Sequence, residues 1–171
     1  MTATQRFGAI TRCGVLPLLL ALGACAADSR PAAIPAPASE ITYETGPCFG
    51  TCPVYSVTVR SSGQGMFEGK RFTAVEGRRE FTVDAATYTA FSRALAAART
   101  ADPTAYVPGG KSCRQQATDH PSVTVTFRDG SAAQRTFPFY YGCRDAGNAA
   151  LATALRDATK TLPIAGFIGS K

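Results

Sequence analysis

Cysteine and histidine are the side chains of this sequence whose types and spacing could support chemistry. Three residues separate Cys48 from Cys52, Pro53 follows the pair, and His120 is the single histidine of the 171 residues. Two thiolates and an imidazole suit copper. A close cysteine pair can also exchange disulfides, although no charged neighbour that would lower a thiol pKa is evident. Thiol redox and copper binding are therefore the first chemistries to weigh.

The segment Cys48-Phe49-Gly50-Thr51-Cys52-Pro53 resembles the Cys-x3-Cys-Pro motif of the copper chaperones that assemble cytochrome oxidase. In that family the cysteine pair opens a helix of a thioredoxin-like fold. Here Cys52-Pro53 leads into a predicted strand. A thiol redox or copper-handling role of Cys48 and Cys52 therefore stands as an alternative to the leading prediction.

Other catalytic signatures in the sequence are incomplete. Residues 63–69 are one position out of register for a dinucleotide-binding fingerprint and precede a strand instead of a helix. Asp119 and His120 would suit a hydrolytic triad, but no serine lies on a glycine elbow. No zinc-binding spacing is present. We therefore predict no enzyme activity, no catalytic or metal-binding residue and no cofactor.

The first 24 residues have the features of a secretory signal peptide. Arg6 and Arg12 form a basic start, and an apolar run over residues 15–24 ends in small side chains. The run is shorter than the roughly 20 residues of a membrane-spanning helix and contains Pro17. We therefore expect an exported protein.

Leu22-Gly23-Ala24-Cys25 resembles the bacterial lipobox, in which the signal is cleaved before a cysteine that is then acylated. Cys25 is thus the predicted lipidation site, and several acyl chains such as palmitate anchor a protein stably. The resemblance also implies a location, since an aspartate after the cysteine favours the inner membrane and this chain has Ala26. We expect a periplasm-facing lipoprotein, with the outer membrane favoured.

Residues 25–40 form a predicted linker rich in proline and alanine, and residues 41–171 a single globular domain. The formal charge of +6 falls to +4 once residues 1–24 are removed. Basic residues are scattered among acidic ones, which argues against a nucleic-acid partner. The expected partners are the membrane, through Cys25, and an envelope protein or cell-wall component.

Alternation and turn signals predict an α+β fold. Asp84 and Asp145 are candidate caps of two helices, the first over residues 85–99. The prediction is an antiparallel β-sheet with two helices packed on one face, in the order ββ(β)α-ββα and stapled by disulfides. Three segments have the period-two pattern of strands, residues 55–60, 80–83 and 123–128, and residues 66–72 and 134–139 are the predicted return strands of two hairpins.

Four cysteines remain once Cys13 leaves with the signal and Cys25 is acylated, and an even number in an exported domain implies disulfides. Spacing alone leaves three pairings open. Leu, Ile, Val and Phe make up about 17% of residues 25–171, which is little for a core and favours covalent staples. The four cysteines are Cys48, Cys52, Cys113 and Cys143.

The octet Cys48-Phe49-Gly50-Thr51-Cys52-Pro53-Val54-Tyr55, followed by an alternating strand, a glycine turn and Phe67-x-Gly69, resembles a family of bacterial secreted and lipoprotein domains of unknown function. The resemblance covers about residues 41–162. Asp119-x-Pro121, before the second hairpin, fits it as well. The family implies no activity.

Chains of this kind often carry only the first cysteine pair, so the resemblance implies disulfides Cys48–Cys52 and Cys113–Cys143. The leading functional prediction is a non-enzymatic, lipid-anchored binding or structural module of the cell envelope. Thiol redox or copper handling by Cys48 and Cys52 is one alternative. Inhibition of a secreted hydrolase is another.

Overall fold

The computed structural model describes residues 38–130 and 133–169. The predicted signal peptide, Cys25 and almost all of the linker lie outside these residues. Within them the chain forms six strands, four α-helices and two 3₁₀ turns. In chain order these are β1 (Glu40–Thr45), β2 (Val54–Arg60), β3 (Gln64–Arg71), β4 (Gly77–Thr82), α1 (Ala85–Ala94), α2 (Ala96–Thr100), β5 (Ser122–Asp129), β6 (Ala133–Tyr140), a 3₁₀ turn (Ala146–Asn148), α3 (Ala149–Ala158), a second 3₁₀ turn (Thr159–Thr161) and α4 (Ala165–Ile168).

The strands form one antiparallel sheet in the order β4-β3-β2-β1-β5-β6. This confirms the predicted α+β class. The central strand β1, where Thr42 pairs with both Thr58 and Thr126, was not predicted, and the observed order of strands and α-helices is ββββαα-ββαα. Only two side chains of β1, Ile41 and Tyr43, are buried, and so short an alternation is a weak signal.

The hydrophobic core lies on one face of the sheet and relies on aromatic side chains. Inward residues of the strands alternate with polar ones, and α1 and α3 contribute Phe91 and Leu155, both fully buried. Full burial of such a side chain contributes about 1.5–3 kcal/mol. Aromatic volume thus offsets the low leucine content. Five phenylalanines have at most 1% of their surface exposed: Phe67, Phe91, Phe127, Phe137 and Phe139.

The first helical segment begins as predicted and breaks early. Asp84 caps α1, because its carboxylate accepts the backbone N–H of Thr87 at 2.7 Å. The helix predicted over residues 85–99 is interrupted at Leu95, whose φ and ψ are −96° and 3°. The N–H of Leu95 donates to the carbonyl of Ser92, three residues back, which tightens the last turn of α1.

The predicted helix cap at Asp145 is wrong. A 3₁₀ turn separates this residue from α3, and its side chain makes no capping hydrogen bond. The Asp145 carboxylate instead accepts the backbone N–H of Arg114 at 2.9 Å. Asp145 therefore fixes a loop that is distant in sequence.

The opposite face of the sheet is open and polar, as antiparallel sheets permit. Glu40 lies between two guanidinium groups, 2.9 Å from that of Arg60 and 3.6 Å from that of Arg128. In the next row the hydroxyls of Thr42 and Thr58 are 2.9 Å apart. Exposed ion pairs of this kind contribute little to stability, so this face mainly keeps the sheet solvated.

Candidate functional site

The candidate functional site is one end of the sheet, which we call the cysteine end. It consists of residues 46–53, 71–76, 113–121 and 141–145. Antiparallel pairing brings the end of β1 beside the starts of β2 and β5, and places the ends of β3 and β6 at the same edge. The topology thus collects segments that are far apart in sequence.

The octet forms a loop that projects from this end. Cys48 and Cys52 are joined, with Cα atoms 5.8 Å apart. Thr45 holds the base of the loop, because its hydroxyl accepts the Tyr55 N–H and donates to the Pro53 carbonyl, both at 2.9 Å. Phe49 at the tip is 88% exposed. The loop is therefore fixed at its base and displays an aromatic ring to solvent.

The second cysteine pair clamps two neighbouring segments. Cys113 and Cys143 are joined, with Cα atoms 4.6 Å apart, and are only 3% and 5% exposed. Beside them the Arg144 N–H donates to the Gln115 carbonyl at 2.7 Å, and the Asn148 amide donates to a carbonyl of the same loop. This pair is part of the buried structure, whereas Cys48–Cys52 belongs to an exposed loop.

His120 lies at the cysteine end, since the Phe49 N–H donates to the carbonyl of the adjoining Asp119 at 3.3 Å. The Nε2 atom of His120 is 2.9 Å from the Arg144 guanidinium. The Asp119 carboxylate accepts the Thr118 hydroxyl. The loop of the first cysteine pair therefore lies beside the segment that carries His120. The two cysteines are bonded to each other and His120 contacts Arg144, so these side chains form neither a copper site nor a catalytic triad.

The first cysteine pair offers no free thiolate to a metal ion. The sulfurs of Cys48 and Cys52 are bonded to each other, so neither is a free thiolate ligand. Among residues 38–130 and 133–169, no group of three or more His, Cys, Asp or Glu side chains is placed to hold a metal ion. In the same part of the chain, no helix has the length and apolar character to span a bilayer.

Phe72 is a second exposed aromatic residue at the cysteine end. It is 46% exposed and has a φ of 57°, a left-handed conformation that is an outlier for a bulky side chain. The guanidinium of Arg71 lies 5.1 Å from the ring centroid. The loop that follows Phe72 is fixed by α4, because the N–H groups of Ala74 and Val75 donate to carbonyls of this helix at 3.1 and 3.0 Å.

The two phenylalanines are the functional candidates that sequence reasoning missed. The octet includes Phe49, but its exposure depends on how the loop leaves the sheet. Phe72 was predicted as the last residue of a strand, whereas β3 ends at Arg71. The contacts that fix each loop, with Asp119 for one and α4 for the other, join residues distant in sequence and need the three-dimensional structure.

The tyrosines Tyr43 and Tyr55, near the site, are buried in the hydrophobic core. Tyr55, the last residue of the octet, is 6% exposed, and burial raises its pKa. Burial likewise raises the pKa of Tyr43, whose hydroxyl donates to the Leu155 carbonyl at 3.0 Å. Phenols that keep their protons this firmly are unsuited to general-base work.

A shallow depression of about 840 Å³ lies at the opposite end of the strands, on the open face. Its charged lining residues are Glu40, Arg60 and Glu80, and its large apolar ones are Met66 and Phe81. Glu40 is already paired with two arginines. The depression is thus separate from the cysteine end.

Residues 39–162 match the family described as a domain of unknown function (DUF6438). The match runs from before β1 to beyond α3 and includes both cysteine pairs. It confirms the expectation of an uncharacterised domain and nearly reproduces the predicted limits of 41–162. No curated protein matches the chain.

Proposed function

Because the chain belongs to the DUF6438 family of domains of unknown function, we propose its role from the geometry: an exported, lipid-anchored module that contacts a component of the cell envelope through its cysteine end and catalyses no reaction. The octet loop carries this proposal. Phe49 is 88% exposed on a loop that a disulfide and Thr45 hold in place. Fixing a loop before it binds lowers the entropy lost on binding.

Export and anchoring are supported by the signal-like residues 1–24 and the lipobox-like residues 22–25. Two cysteine pairs at bonding distance agree with an oxidising compartment. Labelling cells with a clickable palmitate tests the anchor. We expect label on the protein and none on the Cys25→Ala variant; an unlabelled protein, or label that survives this substitution, contradicts the anchor.

A non-enzymatic role is supported by what the polar side chains at the cysteine end do. His120 lies against Arg144, and the Asp119 carboxylate accepts a neighbouring hydroxyl. The most exposed large side chain of this end, Phe49, is apolar, which suits recognition better than catalysis.

Site-specific photocrosslinking in living cells tests the contact. A benzophenone amino acid at position 49 of the full chain is compared with the same group at Thr153, an exposed position on α3. We expect a discrete adduct from position 49 and none from position 153. Absence of an adduct at position 49, or equal adducts at both positions, contradicts the proposal.

Thiol–disulfide exchange at Cys48–Cys52 is the second candidate function. Its supporting observation is the exposed loop, compared with the buried Cys113–Cys143 pair. Exchange would transfer two electrons and two protons from an external dithiol to this disulfide, and copper binding would require the same prior reduction. Thiol counting on protein isolated from the periplasm separates the candidates: two free thiols support exchange, and none supports the contact role.

A further inference from the structure

We infer that the cysteine end rests on an anionic phospholipid surface, with the rings of Phe49 and Phe72 among the headgroups and Arg71 and Arg144 facing the phosphates. The inference rests on the proposed function in one respect, which is that the contact lies at this end of the sheet. It adds the chemistry of what is contacted.

The first argument is the placement of exposed apolar surface. Among the described residues, Phe49 and Phe72 are the two exposed large apolar residues, with 88% and 46% of their surface accessible. Single exposed apolar residues need no explanation. These two lie on separate loops at the same end of the sheet, so one surface can meet both. Aromatic rings and arginines together are typical of segments that lie at the headgroup level.

The second argument is that both rings lie on loops that the structure fixes, in the case of Phe72 at an energetic cost. Phe72 keeps a left-handed backbone conformation, which costs a non-glycine residue about 1–2 kcal/mol. Hydrogen bonds to α4 hold its loop, and the Cys48–Cys52 disulfide closes the loop of Phe49. Backbone strain that the surrounding structure maintains is a reason to look for function.

The third argument is charge. Lys70 pairs with Glu44, and Arg114 with Asp145. Arg71 and Arg144 have no carboxylate within 4.0 Å among the described residues; they contact the Phe72 ring and His120. Glu76 and Asp119 also lie at the cysteine end, so its attraction to an anionic, partly apolar surface comes from these two guanidinium groups beside the rings and not from a net positive charge.

The length of the tether permits this contact. The described domain begins at Ala38, next to the start of β1, and the cysteine end lies at the other end of that strand. Six residues of strand extend roughly 20 Å. The 13 residues from 25 to 37 span roughly 40 Å when extended, as proline-rich chains favour. The anchor at Cys25 therefore leaves enough chain for the cysteine end to reach the same bilayer.

The absence of tryptophan from the sequence gives a direct test. The mature chain with Cys25→Ser, which carries no acyl groups, is given Phe49→Trp, and Thr153→Trp serves as the control. Each is mixed with vesicles of phosphatidylethanolamine and phosphatidylglycerol, or of phosphatidylcholine alone. We expect the emission of Trp at position 49 to shift to shorter wavelength with the anionic vesicles and that at position 153 to stay unchanged.

Vesicle co-flotation provides the second measurement. Phe49→Ser and Phe72→Ser should each reduce the bound fraction about tenfold, the equivalent of losing one partly buried ring, and Arg71→Gln should weaken binding more than Lys160→Gln on the helical side. No spectral shift, or equal binding to both vesicle types, overturns the inference. A protein adduct at position 49 in cells without a vesicle-induced shift rejects the lipid and leaves the proposed function standing. Failure of both experiments rejects both.

Discussion

Removing the Cys113–Cys143 disulfide should destabilise the domain more than removing Cys48–Cys52. The two bridges close loops of different length, with sequence separations of 30 and 4 residues. A cross-link lowers the conformational entropy of the unfolded chain by an amount that grows with the logarithm of loop length. At 25 °C this amounts to about 3.6 kcal/mol for the longer loop and about 1.9 kcal/mol for the shorter one.

The folded structure increases the difference. Cys113 and Cys143 are almost fully buried, and their bridge joins segments that also exchange the Arg144–Gln115 backbone hydrogen bond. Loss of this bridge loosens a packed part of the domain. The Cys48–Cys52 loop has an exposed tip, and the two hydrogen bonds of Thr45 remain to hold its base. The shorter bridge therefore stabilises mainly its own loop.

Thermal unfolding followed by circular dichroism measures the effect. The double variants Cys113→Ala/Cys143→Ala and Cys48→Ala/Cys52→Ala leave no unpaired thiol from the broken bridge. At about 3–4 °C per kcal/mol for a domain of this size, we expect Tm to fall by about 12 °C in the first variant and about 6 °C in the second. Equal losses, a larger loss for the short loop, or a first variant that melts within a degree or two of the parent would refute the reasoning.

Three further predictions concern local structure. Gly69→Ala should lower the free energy of unfolding by at least about 2 kcal/mol in urea titration, because its Cβ would collide with a carbonyl of the β3–β4 loop; Gly147→Ala, with open space, is the control and should be neutral. Burial raises the pKa of Tyr88 to about 12, so the stabilising effect of this buried phenol is complete below pH ~10 and is lost as the pH rises through about 12. Ultraviolet absorbance should show tyrosinate formation together with unfolding, and Tyr88→Phe should unfold at a higher pH than the parent. The hydrogen bond from Thr87 lowers the pKa of Asp84 below its usual value, so the capping contribution is present at neutral pH and is lost as the pH falls through this lowered pKa. Asp84→Ala should therefore lower Tm at neutral pH and have no effect in acid that protonates the carboxyl, and an unchanged neutral Tm would contradict the cap.

Sequence patterns predicted the strands whose inward residues are most regular. Val123, Val125 and Phe127 alternate with threonines and arginine before an Asp-Gly turn, and all three are buried in β5. β1 was missed because Ile41 and Tyr43 are its only apolar inward residues. Pairing with strands on both sides, which is a long-range effect, makes this short segment the centre of the sheet.

The break at Leu95 shows another limit of local patterns. The apolar spacing of Tyr88, Phe91, Leu95 and Ala98 fits one helix, and the structure buries all four residues. The four residues nevertheless belong to two helices, because α1 ends before Leu95 and α2 begins after it, while the Leu95 side chain stays in the core. Periodicity predicts which side chains face inward, whereas packing decides where the backbone bends.

The octet contains residues whose roles in folding are clear and an exposed phenylalanine that folding does not explain. Cys48 and Cys52 close the loop, Pro53 accepts the Thr45 hydroxyl, and Tyr55 packs in the core. Phe49 makes none of these contacts, and a polar residue at an 88% exposed tip would serve the fold at least as well. We propose that the interactions that fix this loop hold the ring ready for contacts outside the domain. This is why we place the function at the cysteine end and not in the solvated depression on the open face.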